Sequence, residues 1–260
     1  MPQLQPDISE LNSPGIVLDN VSLCLQSHKV FESLSISFAA QQCHCVLGRS
    51  GVGKSSLLNV LSGSAVIESG TARATNSKQL GDQIAYMFQD DGLLPWLTVL
   101  DNVQLGLRLR GEMSSHSDER ARELLDAVDL QSWVDHYPRS LSGGMRQRVA
   151  LARTLMEERA IILMDEPFSR LDAITRDELQ VLACELLTNR TVVLVTHDPA
   201  EALRIGHTVT VLHSALPSKT TVIAPRSQPP RQQTDSEVLE LTPTLWNALS
   251  ADAARPVERL

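Results

Sequence analysis

Residues Gly48-Arg49-Ser50-Gly51-Val52-Gly53-Lys54-Ser55 fit the pattern G-x-x-x-x-G-K-[ST], a loop that binds phosphate groups. The short apolar run Cys43–Leu47 before it predicts a buried strand, and Ser56–Leu61 after it predicts a helix that Gly63 ends. A strand, a glycine-rich loop and a helix in this order are the context that such a loop requires. The stretch therefore predicts a phosphate-binding site within an α/β fold.

The residue types in this loop explain how it would hold a phosphate. Glycines tolerate positive φ and let the backbone curl around an anion, so that N–H groups and the positive end of the helix face the phosphates. We expect Lys54 to reach the β- and γ-phosphates of a nucleotide and the Ser55 hydroxyl to ligate Mg²⁺; a chance glycine turn is the alternative. The candidate nucleotide-binding residues of the loop are Gly48, Arg49, Ser50, Gly51, Val52, Gly53, Lys54 and Ser55.

Length and composition limit the classes of protein to which the chain can belong. Its 260 residues, 42% of them hydrophobic, suffice for one large α/β domain or one domain with a small appendage. No stretch approaches 18 consecutive apolar residues, and the first residues lack the basic and apolar regions of a secretory signal. The net charge of −8 argues weakly against a general nucleic-acid binder, so no nucleic-acid partner is expected.

The apolar residues alternate between strand-like and helix-like patterns. Three short runs before the phosphate loop predict a small, mainly antiparallel sheet: Ile16–Leu18, Val21–Leu25 and Leu34–Phe38. Buried, mainly apolar runs separated by helices follow, and they predict a mostly parallel sheet: Ile84–Phe88, Ala160–Met164 and Thr191–Val195. The predicted fold class is thus α/β, and groups at the carboxyl ends of the parallel strands should converge.

A mainly helical insert is expected at about residues 90–140. Thr98 is a candidate N-cap for a helix that stops near Gly111, and Ser117 begins a second helix whose apolar residues share one face. The residues of that apolar face are Ala121, Leu124, Leu125 and Val128.

The two ends of the chain differ in character from its centre. Residues 1–14 are polar, contain three prolines and are interpreted as a lead-in to a main unit at 15–215. Residues 216–260 are interpreted as a C-terminal connector, over Lys219–Gln233, followed by a short amphipathic helix at Ser236–Leu249.

Five features follow one another, each at a strand end or a helix start: the phosphate loop, Gln89, Leu141-Ser142-Gly143-Gly144, Asp165-Glu166 and His197. From about Ile16 to Leu212, this order resembles the ATP-binding-cassette (ABC) ATPases, and the run Leu141–Arg148 matches that family's signature motif. The resemblance implies a P-loop NTPase with a mostly parallel core sheet, an antiparallel β subdomain and a helical insert. It also implies that ATP is the bound nucleotide.

The resemblance implies a role for each polar residue at the strand ends. Asp165 would hold Mg²⁺ through water, and Glu166 would be the general base that polarises the attacking water. The amide oxygen of Gln89 would coordinate Mg²⁺ and the water, and His197 would donate to the γ-phosphate. The Mg²⁺ ligands would thus be Ser55, Gln89 and Asp165. Taken singly, each of these features has an alternative interpretation. The acidic pair Asp165-Glu166 could be a solvated strand end, Gln89 an ordinary polar loop residue and His197 a structural histidine.

The signature motif implies a second copy of the chain as partner. In the family this motif faces the nucleotide of the other subunit, so Ser142, Gly143 and Gly144 would complete the partner's site. Asp172 fits the D-loop, which contacts the partner subunit, and Ser56 follows the P-loop serine among the nucleotide-binding residues. Each ATP would then be sandwiched between two chains.

Residues Phe88–Val99 are similar to importer ATPases of the nitrate, sulfonate and taurine group, which includes pyrimidine-precursor importers. This implies a separate permease, an indirect partner in a periplasmic or extracellular solute-binding protein, and a peripheral place on the cytoplasmic face of the membrane. In that group the segment after Gln89 faces a short helix of the permease. Trp96 would be an anchor in that contact or, alternatively, a core residue of the insert.

Two other functions are alternatives to an importer ATPase. A non-transport ABC ATPase acting on nucleic acid or ribosomes usually carries two cassettes or long coiled-coil insertions, unlike this chain. A small-molecule kinase or GTPase would not explain the signature motif or His197. One departure from the family pattern concerns the base of the nucleotide: where an aromatic residue usually stacks on adenine, this chain has Leu25.

Overall fold

The computed structural model describes residues 13–251, so most of the lead-in expected at 1–14 lies outside the described residues. The strands are β1 Ile16–Leu25, β2 His28–Phe38, β3 Cys43–Leu47, β4 Ser69–Ala74, β5 Ile84–Met87, β6 Ile161–Asp165, β7 Thr191–Val195, β8 Thr208–Leu212 and β9 Thr220–Ile223. The α-helices are α1 Lys54–Leu61, α2 Val99–Val103, α3 Leu105–Arg110, α4 Ser117–Ala127, α5 Gly143–Met156, α6 Ala173–Leu186, α7 Pro199–Ile205 and α8 Ser236–Ala251.

Strands β2, β1 and β4 form an antiparallel sheet in that order, which confirms the small antiparallel sheet predicted before the phosphate loop. The two runs predicted separately at Ile16–Leu18 and Val21–Leu25 are one strand. Its register shifts after Leu18, where Asn20 adopts φ 50°. A local irregularity, not a turn, therefore separates the two runs.

The larger sheet has the order β5-β6-β7-β3-β8-β9. All of its neighbouring strands pair in parallel except β8 and β9. The consecutive strands β5, β6, β7 and β3 lead directly to Gln89, Glu166, His197 and the phosphate loop. This topology confirms the predicted mostly parallel sheet and gathers those four segments at one edge.

The two faces of the larger sheet pack into different cores. One face, with Val46 and Leu163, packs with Leu57 and Leu58 of α1 and with the antiparallel sheet. The other face, with Leu47 and Met164, packs with the remaining helices. Because both faces are buried there, the central strands β6 and β7 are almost entirely apolar.

The insert is helical as predicted, with one difference in its first part. The Thr98 hydroxyl caps α2 by accepting from the Asp101 amide (3.1 Å), and Gly111 ends α3 with φ 69°. The single helix expected between them is interrupted at Gln104, which has φ −84° and ψ −1°. Gln104 is buried, and its side-chain amide donates to Asp118 (2.5 Å), so a tertiary contact accompanies the break. The apolar face predicted for α4 is buried.

The C-terminal part differs from the predicted connector over Lys219–Gln233. Strand β9 lies within that range and pairs antiparallel with β8, so the segment extends the larger sheet. The predicted helix at Ser236–Leu249 is present as α8, and its Val238 and Leu245 are buried. Over residues 13–251, no helix is both long and apolar enough to cross a bilayer.

Candidate functional site

The phosphate loop joins the end of β3 to the start of α1, as the sequence predicts. Gly53 caps α1 with φ 103°, a conformation that side chains rarely adopt. A Cβ at Gly53 would lie 2.7 Å from the Val30 side chain and 2.9 Å from Phe31, and one at Gly48 would lie 2.7 Å from Val52. Glycine is therefore required at Gly53 for two reasons: the positive φ angle and the close approach of β2.

Lys54 is buried and directs its ammonium into the loop. Its Nζ donates to the carbonyl oxygens of Gly48 (2.8 Å) and Arg49 (3.1 Å). Burial lowers the pKa of Lys54, whereas the nearby Glu166 and Asp165 carboxylates raise it. A buried cation held only by carbonyl oxygens and nearby carboxylates is suited to an anionic ligand, since phosphate oxygens could replace the carbonyls.

Asp165 lies opposite the phosphate loop at the end of β6. Burial raises its pKa, and a hydrogen bond from Ser55 opposes that shift by stabilising the carboxylate. Tyr86, on the neighbouring strand β5, places its hydroxyl 3.5 Å from the second Asp165 oxygen. The Ser55 hydroxyl and the Asp165 carboxylate are hydrogen-bonded hard oxygen donors of the kind that fits Mg²⁺, and the amide oxygen of Gln89 would be a third such donor.

Glu166 is the point at which three of the predicted residues meet. Its Oε2 accepts from Gln89 Nε2 (3.2 Å) and lies 3.1 Å from His197 Nδ1. Glu166 has φ 45°, an uncommon angle for a residue with a side chain, and its amide donates to Val195 of β7 (2.9 Å). The structure thus brings Gln89, Glu166 and His197 together at the carboxyl ends of β5, β6 and β7.

Two residues at this edge, Ser169 and Tyr86, make contacts that the sequence does not predict. The Ser169 hydroxyl donates to the Glu166 carbonyl (3.0 Å) and accepts from Gln89 Nε2 (3.4 Å). Tyr86 contacts Asp165, but it occurs in an apolar run, where the sequence predicts a side chain that packs in the core. Ser169 begins the D-loop stretch that ends at Asp172, but neither its contact with Gln89 nor that of Tyr86 with Asp165 follows from a motif; both depend on the pairing of β5 with β6.

The signature segment begins a helix beside the start of another. Ser142 caps α5 by accepting from the Met145 amide (3.2 Å), and Asp172 caps α6 by accepting from the Thr175 amide (3.1 Å). A Cβ at Gly144 would lie 2.4 Å from Thr175 Cγ2, so glycine allows the close approach of the two helix starts. Ser142, Gly143 and Asp172 are exposed, and hydrogen bonds from Thr175 lower the pKa of Asp172.

The segment after Gln89 is fixed to the signature helix α5. Asp91 pairs with Arg146 (3.0 Å), and Arg153 donates to the carbonyl oxygens of Asp91 (2.5 Å) and Gly92 (2.9 Å). Trp96, farther along this segment, is 70% exposed. The structure therefore excludes the alternative that Trp96 is a core residue of the insert.

Comparisons with known proteins agree with this geometry. The family model of the ABC transporter matches residues 31–169. An ABC transporter ATP-binding protein of Haemophilus influenzae is 41% identical over 90% of this chain and 98% of its own length. A taurine import ATP-binding protein of Pseudomonas aeruginosa is 41% identical over 72% of this chain and 73% of its own. An aliphatic sulfonates import ATP-binding protein of Rhodococcus jostii is 42% identical over 77% and 80%.

Solved structures show the same fold. A dimeric structure of the bacterial ABC transporter cassette MJ0796 superposes with a TM-score of 0.66 at 31% identity, over 76% of this chain and 94% of that one. A dimeric post-hydrolysis state of the same cassette, bound to ADP and Pi, gives 0.69 at 30% identity, over 82% and 99%. With the phosphate loop and the acidic strand end on one edge of the sheet, and with a signature segment that begins α5, the chain belongs to the ABC transporter family as one of its ATP-hydrolysing cassettes.

Proposed function

We propose that this chain is the ATPase subunit that energises uptake of a small solute through a separate permease. The observation that carries the proposal is the meeting of Gln89 and His197 on the Glu166 carboxylate, beside the phosphate loop. A carboxylate with two polar neighbours at the end of a buried strand is suited to orient and polarise a water molecule. The hydrolytic step is therefore assigned to Glu166.

Each residue of the edge has a distinct part in this proposal. Lys54 and the amides of the phosphate loop bind the β- and γ-phosphates, and Glu166 accepts a proton from the attacking water. His197 donates to the γ-phosphate. Ser55, Asp165 and Gln89 would hold Mg²⁺, which neutralises charge on the phosphate oxygens when bound.

The proposed working unit is a pair of cassettes that encloses ATP. Ser142 and Gly143 are exposed at the start of α5, where backbone N–H groups favour an anion, yet their side-chain and cap contacts stay within their own helix. Ile174, two residues beyond Asp172, is 74% exposed and would be covered by a second copy. The dimeric form of the MJ0796 cassette supports this arrangement.

The transported solute and the remaining partners are inferred from relatives. The taurine and aliphatic sulfonate import proteins favour a small sulfonate-like anion as the solute, delivered to the permease by a solute-binding protein. The chain would act at the cytoplasmic face of the membrane. We assign the cassette to residues 15–215 and treat 216–260 as an added C-terminal segment.

Replacing Glu166 tests the catalytic assignment. Glu166→Gln keeps the shape of the side chain but removes the charge that polarises water, so ATP hydrolysis should fall at least about a hundredfold. ATP binding, measured by equilibrium titration, should persist. Glu185→Gln, which removes an exposed carboxylate from α6, is the matched control and should hydrolyse ATP at the native rate. Near-native hydrolysis by Glu166→Gln would assign the base to another residue.

A further inference from the structure

We propose that Glu201 is a positioning residue that holds His197 against Glu166 by way of the Thr196 hydroxyl. The inference rests on the proposed role of His197 in hydrolysis. Glu201 lies on α7, one turn beyond His197, and no catalytic motif includes it. It is nevertheless a carboxyl group only 5% exposed, and a buried carboxyl group is costly unless its hydrogen bonds are satisfied.

Two donors satisfy the Glu201 carboxylate from different elements. Gln180 of α6, itself buried, donates from Nε2 to Glu201 Oε2 (3.1 Å). The buried Thr196 hydroxyl, at the end of β7, donates to the same carboxylate. Glu201 therefore ties the first turn of α7 to both α6 and the end of the strand that precedes His197.

The Thr196 hydroxyl connects the Glu201 carboxylate to the turn that contains His197. Its oxygen accepts from the Asp198 amide (3.1 Å), so Thr196 and Asp198 are hydrogen-bonded on either side of His197. Asp198 in turn caps α7 by accepting from the Ala200 amide (2.9 Å). His197 itself is 61% exposed and makes its described side-chain contact with Glu166, so the flanking backbone must fix its position.

Ionisation of Glu201 strengthens this arrangement. A carboxylate accepts a charge-assisted hydrogen bond from the Thr196 hydroxyl, whose oxygen accepts in turn from the Asp198 amide, whereas a protonated carboxyl group accepts weakly and can donate to that oxygen instead. The charged and titratable groups that face Glu201 are Asp198 of α7, Arg176 of α6 and Cys45 of β3. Burial and Asp198 raise the pKa of Glu201 to about 7, and Thr196, Gln180 and Arg176 oppose the shift.

Arg176 extends the same network towards the partner-facing segment. Its guanidinium donates to the carbonyl oxygens of Phe168 (3.3 Å) and Leu171 (2.7 Å), which lie between Glu166 and Asp172. The charge of Glu201 therefore acts both on the turn of His197 and on the residue that holds the segment before Asp172.

Steady-state hydrolysis by the purified full-length chain, measured from pH 6 to 9, tests the proposal. Glu201→Gln should lower kcat on the order of tenfold at pH 8 and leave KM for ATP within about twofold, because it disturbs the position of His197 and not ATP binding. The native kcat should rise as pH increases through about 7, and Glu201→Gln should lack that rise.

A pair of variants at Thr196 isolates the hydroxyl. Thr196→Val removes it at nearly constant shape and should reproduce the loss in Glu201→Gln, while Thr196→Ser should restore near-native kcat. The double variant that combines Thr196→Val with Glu201→Gln should be no slower than either single variant, because both substitutions remove the same hydrogen bond. Glu185→Gln is the control for loss of a carboxylate, and thermal unfolding of each variant checks the fold.

The outcomes separate this inference from the catalytic assignment on which it rests. If His197→Ala abolishes hydrolysis while Glu201→Gln and Thr196→Val retain native kcat and its pH dependence, the positioning role is wrong and the role of His197 stands. If His197→Ala hydrolyses ATP at the native rate, the assignment of His197 fails first. A loss of kcat in Glu201→Gln that only mirrors a loss of folded protein would also overturn the positioning role.

Discussion

The family resemblance predicts that Leu25, at the end of β1, takes the position where an aromatic residue would stack on adenine. Its side chain is aliphatic and exposed, so it offers the base little beyond a small apolar contact. ATP and GTP should then bind with affinities within about tenfold, or about 1.4 kcal/mol. Leu25→Tyr should tighten ATP binding modestly in equilibrium titrations. A strong native preference for ATP would show that another residue reads the base.

The raised pKa of Glu201 also predicts how the stability of the folded chain depends on pH. Burial raises its folded-state pKa to about 7 from an ordinary value of 4.5, so between these pH values the folded chain keeps a proton that the unfolded chain has lost. The contribution of Glu201 to stability is therefore fully present below about pH 4.5 and declines as pH rises to about 7, by about 3 kcal/mol.

Urea unfolding of the native chain and of Glu201→Gln at pH 5 and pH 8 measures the contribution of Glu201 to the free energy of unfolding. The variant should lose less stability than the native chain between the two pH values, because a glutamine has no proton to lose. Equal losses would mean that Glu201 titrates near its ordinary value. The same ionisation that we expect to favour hydrolysis would thus lower stability.

At the scale of single residues, the sequence indicates the groups whose chemistry is tied to a motif. The phosphate loop and the acidic strand end are recognisable because each needs particular residue types in one continuous run. Tyr86, Ser169 and Glu201 are not recognisable in this way. Their partners are distant in the sequence and become neighbours only through the pairing of strands and the packing of α6 on α7.

Among the elements, the segment from Gln89 into the insert is the best candidate for contact with a permease. It is fixed to α5 through Asp91 and Arg153, so movement near Gln89 would be carried into the insert. Trp96 projects from it 70% exposed, and large aromatic side chains are favoured anchors in interface pockets. Because Trp96 is exposed, it contributes little to the core and is available for contact with a permease.

Trp96→Ala tests this contact. The variant should stay folded by circular dichroism and bind ATP, but co-purification with the permease, or stimulation of hydrolysis by it, should drop by about tenfold or more, as for an interface hot spot. Leu109→Ala removes another apolar side chain of the insert that is 78% exposed, and it is the matched control. Undiminished permease binding by Trp96→Ala would remove Trp96 from the interface.

Element types are predicted better than their interruptions. The apolar face of α4 and the caps at Thr98 and Gly111 follow from local chemistry and are confirmed. The break at Gln104 accompanies its contact with Asp118, which only the packed insert supplies. The sequence does not indicate strand β9, because Thr220–Ile223 is short and has prolines and serines on both sides, although its β-branched residues suit a strand.

In the whole molecule, the two halves of the proposed ATP site lie on different elements of one chain. The phosphate loop begins α1, and the signature segment begins α5, where Ser142 and Gly143 are exposed. Exposed backbone N–H groups at a helix start favour an anion, and Ile174 adds an exposed apolar side chain beside Asp172. A second chain that brings its own phosphate loop would cover both features.

The proposed pairing of two chains around ATP can be measured as the molar mass of Glu166→Gln in solution. Size-exclusion chromatography with light scattering should give the mass of one chain without nucleotide or with ADP, and of two chains with ATP, since blocked hydrolysis preserves the sandwich. Adding Ser142→Arg should leave ATP binding intact but abolish the shift in mass, and adding Lys54→Ala should abolish both. If Glu166→Gln binds ATP and keeps the mass of one chain, two chains do not pair around the nucleotide.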